Sequence, residues 1–169
     1  MSGFVPGQFN GIGDAQMPGA RYPYLNNQPE GEYLLEVMEL RGFKTRKKGI
    51  YGFAADFLVV EGPDGASPKV SHVSLSSSEY YFKDIKGIIN ALLNGEFTPQ
   101  DKDGNPLPPR PLEAEDIDEK MMEELLSEPL GEGFFLAADV MQRTTKDGGG
   151  TYSVTYYKPV KDTGFTFDD

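Results

Sequence analysis

Residues 32–60 read EYLLEVMELRGFKTRKKGIYGFAADFLVV, and this stretch decides the fold. Two runs on either side of its middle, residues 32–43 and 51–61, are rich in aliphatic and aromatic side chains, which favour β-strands. The second run also alternates between two sets of side chains, as expected of a strand. Between the runs lies the basic segment Lys44-Thr45-Arg46-Lys47-Lys48-Gly49. The pattern predicts two long strands that are joined by a basic turn.

Further elements are predicted after this hairpin. Gly62-Pro63-Asp64-Gly65 predicts a turn, because proline presets φ and glycine accepts positive φ, and a third strand follows at residues 69–75. Ser76-Ser77-Ser78-Glu79 fits a capping box, and apolar residues then recur at helical spacing up to Gly95. A helix of about fifteen residues is therefore predicted to begin at the serines. Strands four and five are predicted at residues 131–140 and 151–157.

The acidic residues are concentrated in two regions of a chain whose net charge is −11. Residues 96–132 carry twelve acids against three bases, and residues 162–169 carry three acids and no base. The first region is interpreted as an acidic insertion at residues 96–130, with a proline-rich loop and a short helix over residues 113–127. The apolar stripe of this helix fits packing on the main domain or on another copy of the chain, so a homo-oligomer is left open.

The two ends of the chain are interpreted as flexible. Residues 1–31 hold six glycines and four prolines and show no apolar period, which indicates a flexible N-terminal arm. Residues 161–169 are interpreted as an acidic C-terminal tail. The domain proper then spans residues 32–160.

The composition argues against catalysis, metal binding and membrane insertion. The chain has no cysteine and a single histidine, so no nucleophile–base pair stands out and no cofactor is expected. The loop at residues 101–105 lacks the bidentate glutamate that a calcium loop needs at its end. The apolar runs are far shorter than the ~20 residues of a membrane span, and no signal pattern opens the chain. We therefore expect a non-enzymatic protein in the cytoplasm, or in the host cytoplasm if the protein is viral.

Three strands, a helix and two further strands form the element order of an OB-fold, a five-stranded Greek-key barrel with a helix between strands three and four. The expected fold class is therefore all-β dominated. In such a barrel the ligand lies across strands two and three, bordered by the loop between strands one and two and the loop between strands four and five. Both loops are basic here, and we expect them to flank one groove.

Five short stretches of the sequence carry a resemblance to a known family. They are Gly31-Glu32-Tyr33, residues 44–49, residues 53–61, Phe82-Lys83-Asp84-Ile85-Lys86 and Thr144-Thr145-Lys146-Asp147-Gly148-Gly149. Across residues 31–160 they resemble the OB-fold single-stranded-DNA-binding proteins encoded by bacteriophages. The resemblance implies sequence-independent binding of single-stranded DNA in phage DNA replication, recombination and repair. The acidic end also resembles the tails by which viral and bacterial single-strand binders recruit replication proteins, although it has fewer acids and ends on Asp169.

On this interpretation cations neutralise phosphates and aromatic rings stack on bases. The predicted phosphate contacts are Lys44, Arg46, Lys47, Lys48, Arg143, Lys146 and Lys158. The predicted stacking residues are Tyr51, Phe53, Tyr152 and Tyr156. The tail residues predicted to bind a protein partner are Phe165, Phe167, Asp168 and Asp169.

Each assignment has a simpler alternative. Phe53 lies on an alternating strand and fits a buried core position, and the lysines fit a solvated hairpin tip. The single histidine, His72, is expected to have a structural role. At the level of function, the alternative is a virion or host-interaction protein that is built on a β-barrel and does not bind DNA.

Overall fold

The computed structural model describes residues 4–15, 28–46 and 49–163, with the backbone alone at residues 151–153 and 162. The strands are β1 (Gly31–Lys44), β2 (Tyr51–Glu61), β3 (Lys69–Leu75), β4 (Glu96–Phe97), β5 (Arg110–Pro111), β6 (Phe135–Thr144) and β7 (Thr151–Lys158). The α-helices are α1 (Tyr81–Leu92) and α2 (Glu119–Leu126). Short 3-10 helices lie at Ile12–Asp14, Ala114–Asp116 and Val160–Asp162.

Five of the strands form one antiparallel sheet in the order β3-β2-β1-β6-β7, and β4 pairs separately with β5. β1 lies at the centre, where it pairs with β2 along most of its length but with β6 only from Gly31 to Glu36. A register shift between Val37 and Glu39 marks a bulge just after the pairing with β6 ends. The predicted β-dominated class with five main strands is confirmed. Closure into a barrel is not shown, because no backbone pairing joins the edge strands β3 and β7 among the described residues.

Alternating burial along β3, where Val70, His72 and Ser74 are buried, defines the side of the sheet that faces the core. Phe53, Ala55 and Phe57 are buried there, and α1 covers the same core through contacts with β3, β6 and β7. The two edge strands approach each other through side chains, since the ring of Tyr157 on β7 lies 5.5 Å from the ring of His72 on β3. The sheet is therefore strongly curved around one core.

The expectation of a flexible arm over residues 1–31 is wrong for residues 4–15. Phe9 and Ile12 are fully buried in the same core as the sheet, and the Phe9 ring centroid lies 6.5 Å from that of Phe53. Room for this segment exists because Gly42 has no side chain, and a Cβ there would meet the Gln8 side chain at 1.8 Å. Two buried apolar side chains stabilise a glycine-rich segment enough to dock it on the sheet.

Lys86 of α1 holds the same segment through its ammonium group. The side chain is fully buried, and Nζ donates to the carbonyl of Ala15 at 2.6 Å and to that of Ala114 at 2.7 Å, with Gly13 at 3.4 Å. Burial lowers the pKa of Lys86, and nearby carboxylates act in the opposite direction. One ammonium therefore ties the N-terminal segment and the acidic insertion to α1.

The predicted capping box does not form, and α1 begins later than expected. The Ser76 hydroxyl accepts from the Tyr51 N–H at 3.0 Å, and the Ser78 hydroxyl accepts from the Tyr80 N–H at 3.1 Å. The N-cap residue is Tyr80, whose side chain makes no cap hydrogen bond, and the helix starts at Tyr81. The two serines therefore stabilise the connection from β3 to α1. Ser76 does so by accepting a hydrogen bond from the first residue of β2, which is distant in sequence.

The acidic insertion packs on the main core. In place of one helix over residues 113–127, the structure has a 3-10 helix and then α2, whose first turn is capped by Asp118 accepting from the Met121 N–H at 2.9 Å. Ile117, Met122 and Leu126 of the apolar stripe are buried with the sheet residues. Of the two alternatives for this stripe, packing on the main domain is confirmed.

The fourth main strand, β6, also begins later than the predicted residue 131. Gly131 and Gly133 both have a φ of 85°, a left-handed conformation that β-strands do not use. The strand therefore starts at Phe135, after these two glycines. The bounds of β2 and β3 match the prediction at both ends.

Candidate nucleic-acid interface

The two basic turns share one backbone design. In the β1–β2 turn, the Thr45 N–H donates to the Ile50 carbonyl at 2.8 Å, and the Ile50 N–H donates back to Thr45 Oγ1 at 3.1 Å. In the β6–β7 turn, the Thr145 N–H donates to the Gly150 carbonyl at 3.0 Å, and the Gly150 N–H donates to Thr145 Oγ1 at 3.2 Å. Each threonine hydroxyl supplies a local acceptor for the turn backbone. Both turns are thus closed hairpin tips.

The register of the sheet locates these two tips relative to β1. Val140 pairs with Gly31, so the last residues of β6 and the turn after it extend beyond the start of β1. The other turn follows Lys44, at the opposite end of the same strand. The turns therefore lie beyond opposite ends of β1, and the expectation that they flank one groove stays a prediction.

The strongest candidate surface is the face of β1, β2 and β3 that points away from the core, which we call the outer face. Residues that pair directly on neighbouring strands share a face of the sheet. Phe43, Gly52 and Leu75 form the row nearest the β1–β2 turn. The Phe43 ring lies over Gly52, since a Cβ on that glycine would meet the ring at 2.2 Å. An aromatic ring thereby occupies the space over Gly52, next to the basic turn.

The second row of the outer face continues the apolar surface and adds a cation. It consists of Arg41, Ala54 and Val73. Val73 and Leu75 are 46% and 38% exposed, respectively, which is high for aliphatic side chains on a sheet. The first two rows therefore combine a ring, an arginine and exposed apolar groups, and this combination suits flat bases next to phosphates.

The third row of the outer face is acidic and limits where an anion can lie. It consists of Glu39, Asp56 and Ser71. Arg41 Nη2 lies 3.6 Å from Asp56 Oδ2, and the Ser71 hydroxyl donates to Asp56 Oδ1 at 2.6 Å. Both members of the ion pair are partly exposed, so this pair is weak and Arg41 can exchange its partner at little cost. The part of the outer face close to the turn is the part that suits a polyanion.

The predicted phosphate contacts fall into three groups in the structure. Lys44 and Arg46 are exposed at the β1–β2 turn, and Arg143 and Lys146 are exposed at the β6–β7 turn. Lys47 and Lys48 lie outside the described residues. Lys44 Nζ also lies 5.4 Å from the ring centroid of Tyr51, which is within range of a cation–π contact.

The assignment of Lys158 to phosphate binding is wrong for this conformation. Its Nζ lies 2.7 Å from Glu32 Oε2 and 2.9 Å from Asp139 Oδ2, and the side chain is only 15% exposed. Burial lowers the pKa of Lys158, but the two carboxylates outweigh it and the pKa is raised overall. A phosphate would have to displace two closer carboxylates, so Lys158 is a structural cation.

The assignment of Phe53 to stacking is also wrong. The ring is fully buried, and it packs against Phe9 at the side of the sheet that faces the core. Tyr51 lies on the same side at the end of β2, where its hydroxyl approaches the N-terminal segment at Gly7, so it is half-buried rather than open. Strand alternation puts residues 51 and 53 on the core side and leaves the outer face to Gly52 and Phe43.

The remaining predicted rings and the tail have different positions. Tyr156 is 36% exposed, but it pairs directly with Asp139, which in turn pairs with Glu32. Two carboxylates in its row make this ring a poor neighbour for phosphates. The Tyr152 side chain lies outside the described residues, and so do the tail residues Phe165, Phe167, Asp168 and Asp169.

Phe43 is a ring of the outer face that was not among the predicted stacking residues. The sequence shows that Phe43 comes just before the basic turn and that Gly52 comes shortly after it. Register was the missing information, because only the pairing of Phe43 with Gly52 shows that the ring covers the glycine on the outer face.

No metal or membrane feature stands out in the part of the chain that is described. Across residues 4–15, 28–46 and 49–163, no three His, Asp or Glu side chains come together as a set that could hold a metal ion. None of the helices in these ranges is long and apolar enough to cross a bilayer. His72 is 1% exposed and hydrogen-bonded within the core, which fits the structural role expected of it.

Comparisons with known proteins do not assign the chain to a family. No model of a known protein family matches it. A search of curated proteins finds no similar sequence.

Proposed function

We propose that the protein binds single-stranded DNA without sequence preference, through the outer face next to the β1–β2 turn. The observation that carries the proposal is the Phe43 ring, which lies over Gly52 at the end of the sheet where the turn with the exposed cations Lys44 and Arg46 begins. Stacking on such a ring tolerates any base, and it is typically worth ~1–3 kcal/mol per base. The cations neutralise phosphates and release counterions, which makes the affinity depend on salt.

The proposed fold is an OB-fold, and the sheet topology supports it. β3 and β7 both run parallel to β1, because each is two antiparallel steps away from it in the sheet order. Side chains of β3 and β7 contact each other at His72 and Tyr157. An OB-fold is a partly open Greek-key barrel of five strands whose ligand lies across strands two and three. The outer face of β2 and β3 corresponds to that position.

The proposed path of the strand follows the charge distribution. Bases stack at Phe43 and contact Val73 and Leu75, while phosphates pass along the turn that carries Lys44 and Arg46. Glu39 and Asp56 repel a strand that continues farther along the outer face. The strand therefore crosses the end of the sheet, and Lys47 and Lys48 of the same turn add two further phosphate contacts.

The biological role proposed is support of DNA replication, recombination and repair, in a bacteriophage or its host. A protein that covers single strands by stacking and charge needs no catalytic group and no cofactor. Its protein partners are replication or recombination proteins that contact the segment from Phe165 to Asp169. This role is proposed from the resemblance described above together with the surface chemistry.

The test is a salt titration of binding to a fluorescent oligo(dT), read by anisotropy. The wild-type affinity should fall steeply as salt rises, and the Arg46→Glu, Lys47→Glu, Lys48→Glu triple variant should lose binding at physiological salt. If the three cations each contact one phosphate, the slope of log K against log salt should become shallower by about two, from the ~0.7 per contact of single strands.

The matched control reverses three cations elsewhere, at Lys83, Lys102 and Lys120. Both triple variants carry the same net charge, so a general repulsion would weaken them equally. The proposal predicts that only the turn variant loses affinity. Equal loss in both variants, or wild-type binding that does not respond to salt, would favour the alternative of a protein-interaction role on the same fold.

A further inference from the structure

A groove with an apolar lining opens at the end of α1, next to the start of β6. Its volume is about 310 Å³, and residues of the 3-10 helix after β7 also contribute to it. The apolar residues that line it are Leu92, Phe134, Phe135 and Val160, and Asn94 and Lys161 are polar. Phe134 is 40% exposed although its carbonyl accepts from the Val37 N–H at 2.8 Å, so a large ring is held at the surface by a fixed backbone.

Lys161 gives this groove a positive charge. A Cβ on Gly95 would lie 3.4 Å from its Nζ, which places the ammonium beside the C-terminal end of α1, where the helix dipole favours a cation. Lys161 forms no salt bridge with any of the described residues. An adjoining cleft of about 170 Å³ shares Lys161 and includes Arg110 and Glu96, but Arg110 is already paired with Asp116 at 2.7 Å.

We propose that this groove binds residues 164–169 of the same chain. The segment reads Gly-Phe-Thr-Phe-Asp-Asp, with two rings followed by two carboxylates. When such a segment is extended, Phe165 and Phe167 lie on one side and Thr166 on the other, because side chains alternate along a strand. Two rings match the apolar lining, and the carboxylates match the charge of Lys161.

The connection between segment and groove is short enough for docking within one chain. Thr163 is the last described residue, and Lys161 just before it already lines the groove. Six further residues span at most about 20 Å when extended. The segment therefore reaches the groove without any rearrangement of β7 or α1.

Docking at this position separates the segment from the proposed DNA surface. Gln8 donates to Gly52 next to the β1–β2 turn and also to Tyr81 at the start of α1, whereas the groove is formed at Leu92. A helix of 12 residues places its ends about 18 Å apart. A protein partner that binds Phe165 and Phe167 would then have to displace them from this groove, and DNA at the turn would leave them in place.

The test uses the absence of tryptophan from the chain, so that one introduced indole reports on one position. Phe167→Trp in the full-length protein should show a blue-shifted emission and protection from acrylamide. Thr166→Trp, which faces the other side, should behave like a free indole. Adding Phe134→Ser or Lys161→Glu to Phe167→Trp should return its emission toward that of Thr166→Trp, while far-UV circular dichroism stays unchanged.

The contrary results are equally specific. Emission of Phe167→Trp that equals that of Thr166→Trp and ignores both groove substitutions would overturn the proposal. A blue shift that grows with protein concentration would also overturn it, because the segment would then dock on another copy. None of these measurements contains nucleic acid, so their failure is separate from a failure of the proposed DNA binding.

Discussion

His72 Nδ1 lies 2.9 Å from the Tyr157 hydroxyl, and this hydrogen bond joins the two edge strands of the sheet. The other ring nitrogen, Nε2, lies 2.6 Å from the Ser74 hydroxyl. Both hydroxyls can donate or accept, so a neutral imidazole with one N–H satisfies the pair in either tautomer. The contact between β3 and β7 at this point is made by side chains, and it depends on an uncharged histidine.

The first prediction is a loss of stability in acid that comes from His72. Burial lowers the pKa of His72 from 6.5 to about 3. The unfolded chain therefore takes up a proton near pH 6.5, whereas the folded chain resists protonation until the pH nears 3. The stability that this provides is complete above pH 6.5 and falls by about 1.4 kcal/mol per pH unit as the pH decreases through this window.

The comparison that isolates this effect is wild type against His72→Gln, which keeps a donor and an acceptor but does not titrate. Urea unfolding should show that wild type loses about 2–3 kcal/mol more than the variant between pH 7.5 and 4.5. Carboxylates titrate in both proteins and cancel in the difference. Parallel pH profiles for the two proteins would mean that His72 is protonated without cost.

The second prediction concerns the buried ammonium of Lys86. Lys86→Met removes the donor to the part-buried carbonyls of Ala15 and Ala114. Loss of these bonds should lower the free energy of unfolding by about 1–3 kcal/mol. It should also make residues 4–15 accessible to a protease, which N-terminal sequencing of the fragments would detect.

Lys83→Met on the same helix is the control for Lys86, because Lys83 is only half-buried. It should cost less stability and leave the protease pattern unchanged. If both variants behave alike, the effect comes from the charge of the helix and not from the clamp on the N-terminal segment.

Local patterns in the sequence predicted the strands but not the contacts between distant segments. The bounds of β2 and β3 follow from side-chain alternation and turn residues, both of which are local. Ser76 failed as a helix cap because the Tyr51 N–H, twenty-five positions earlier, takes its hydroxyl. The docking of the segment around Phe9 was not predicted for the same reason. The space beside Gly42 that receives this segment exists only once the sheet has folded.

The candidate site shows the same division. The cationic turn and its aromatic neighbours were predictable, because charge and ring content can be counted. Which rings face outward was not, since it depends on the register that pairs Phe43 with Gly52 and buries Phe53. Lys158 was misassigned because its partners Glu32 and Asp139 lie on other strands.

The third prediction compares Phe43, the partly buried ring of the outer face, with Tyr156, an exposed ring in a row with two carboxylates. Phe43→Ala should weaken oligo(dT) binding by about 1–3 kcal/mol, the usual contribution of one stacked base. Tyr156→Ala removes a ring that lies beside Asp139 and should change the affinity by less than that. Anisotropy titrations at one fixed salt concentration measure both variants.

Gly52→Ala tests the same stacking contact by displacing the Phe43 ring instead of removing it. The added methyl group would overlap Phe43, whose ring atoms lie 2.2 Å from that position, and should push the ring off the sheet. Binding should weaken as in Phe43→Ala, although no ring has been removed. Unchanged affinity in both Phe43→Ala and Gly52→Ala would exclude stacking at this position.

The last prediction tests how the N-terminal segment is held on the core side of β1. Gln8 Nε2 donates to the Gly52 carbonyl and, at 2.9 Å, to the Tyr81 hydroxyl, and it can do so because Gly42 leaves room for its side chain. Gly42→Ala places a methyl group 1.8 Å from Gln8 Oε1, so the Gln8 side chain must shift, and we expect both hydrogen bonds to be lost. The expected loss is about 1–3 kcal/mol in urea unfolding.

Gly150→Ala is the control, because the nearest atom to a Cβ at this position is 4.0 Å away. The substitution reduces the freedom of the unfolded chain, so the stability of this variant should be equal to that of wild type or up to about 1 kcal/mol higher. Equal stability of the two variants would mean that the Gln8 side chain moves aside freely, and that Phe9 and Ile12 alone hold the segment in place.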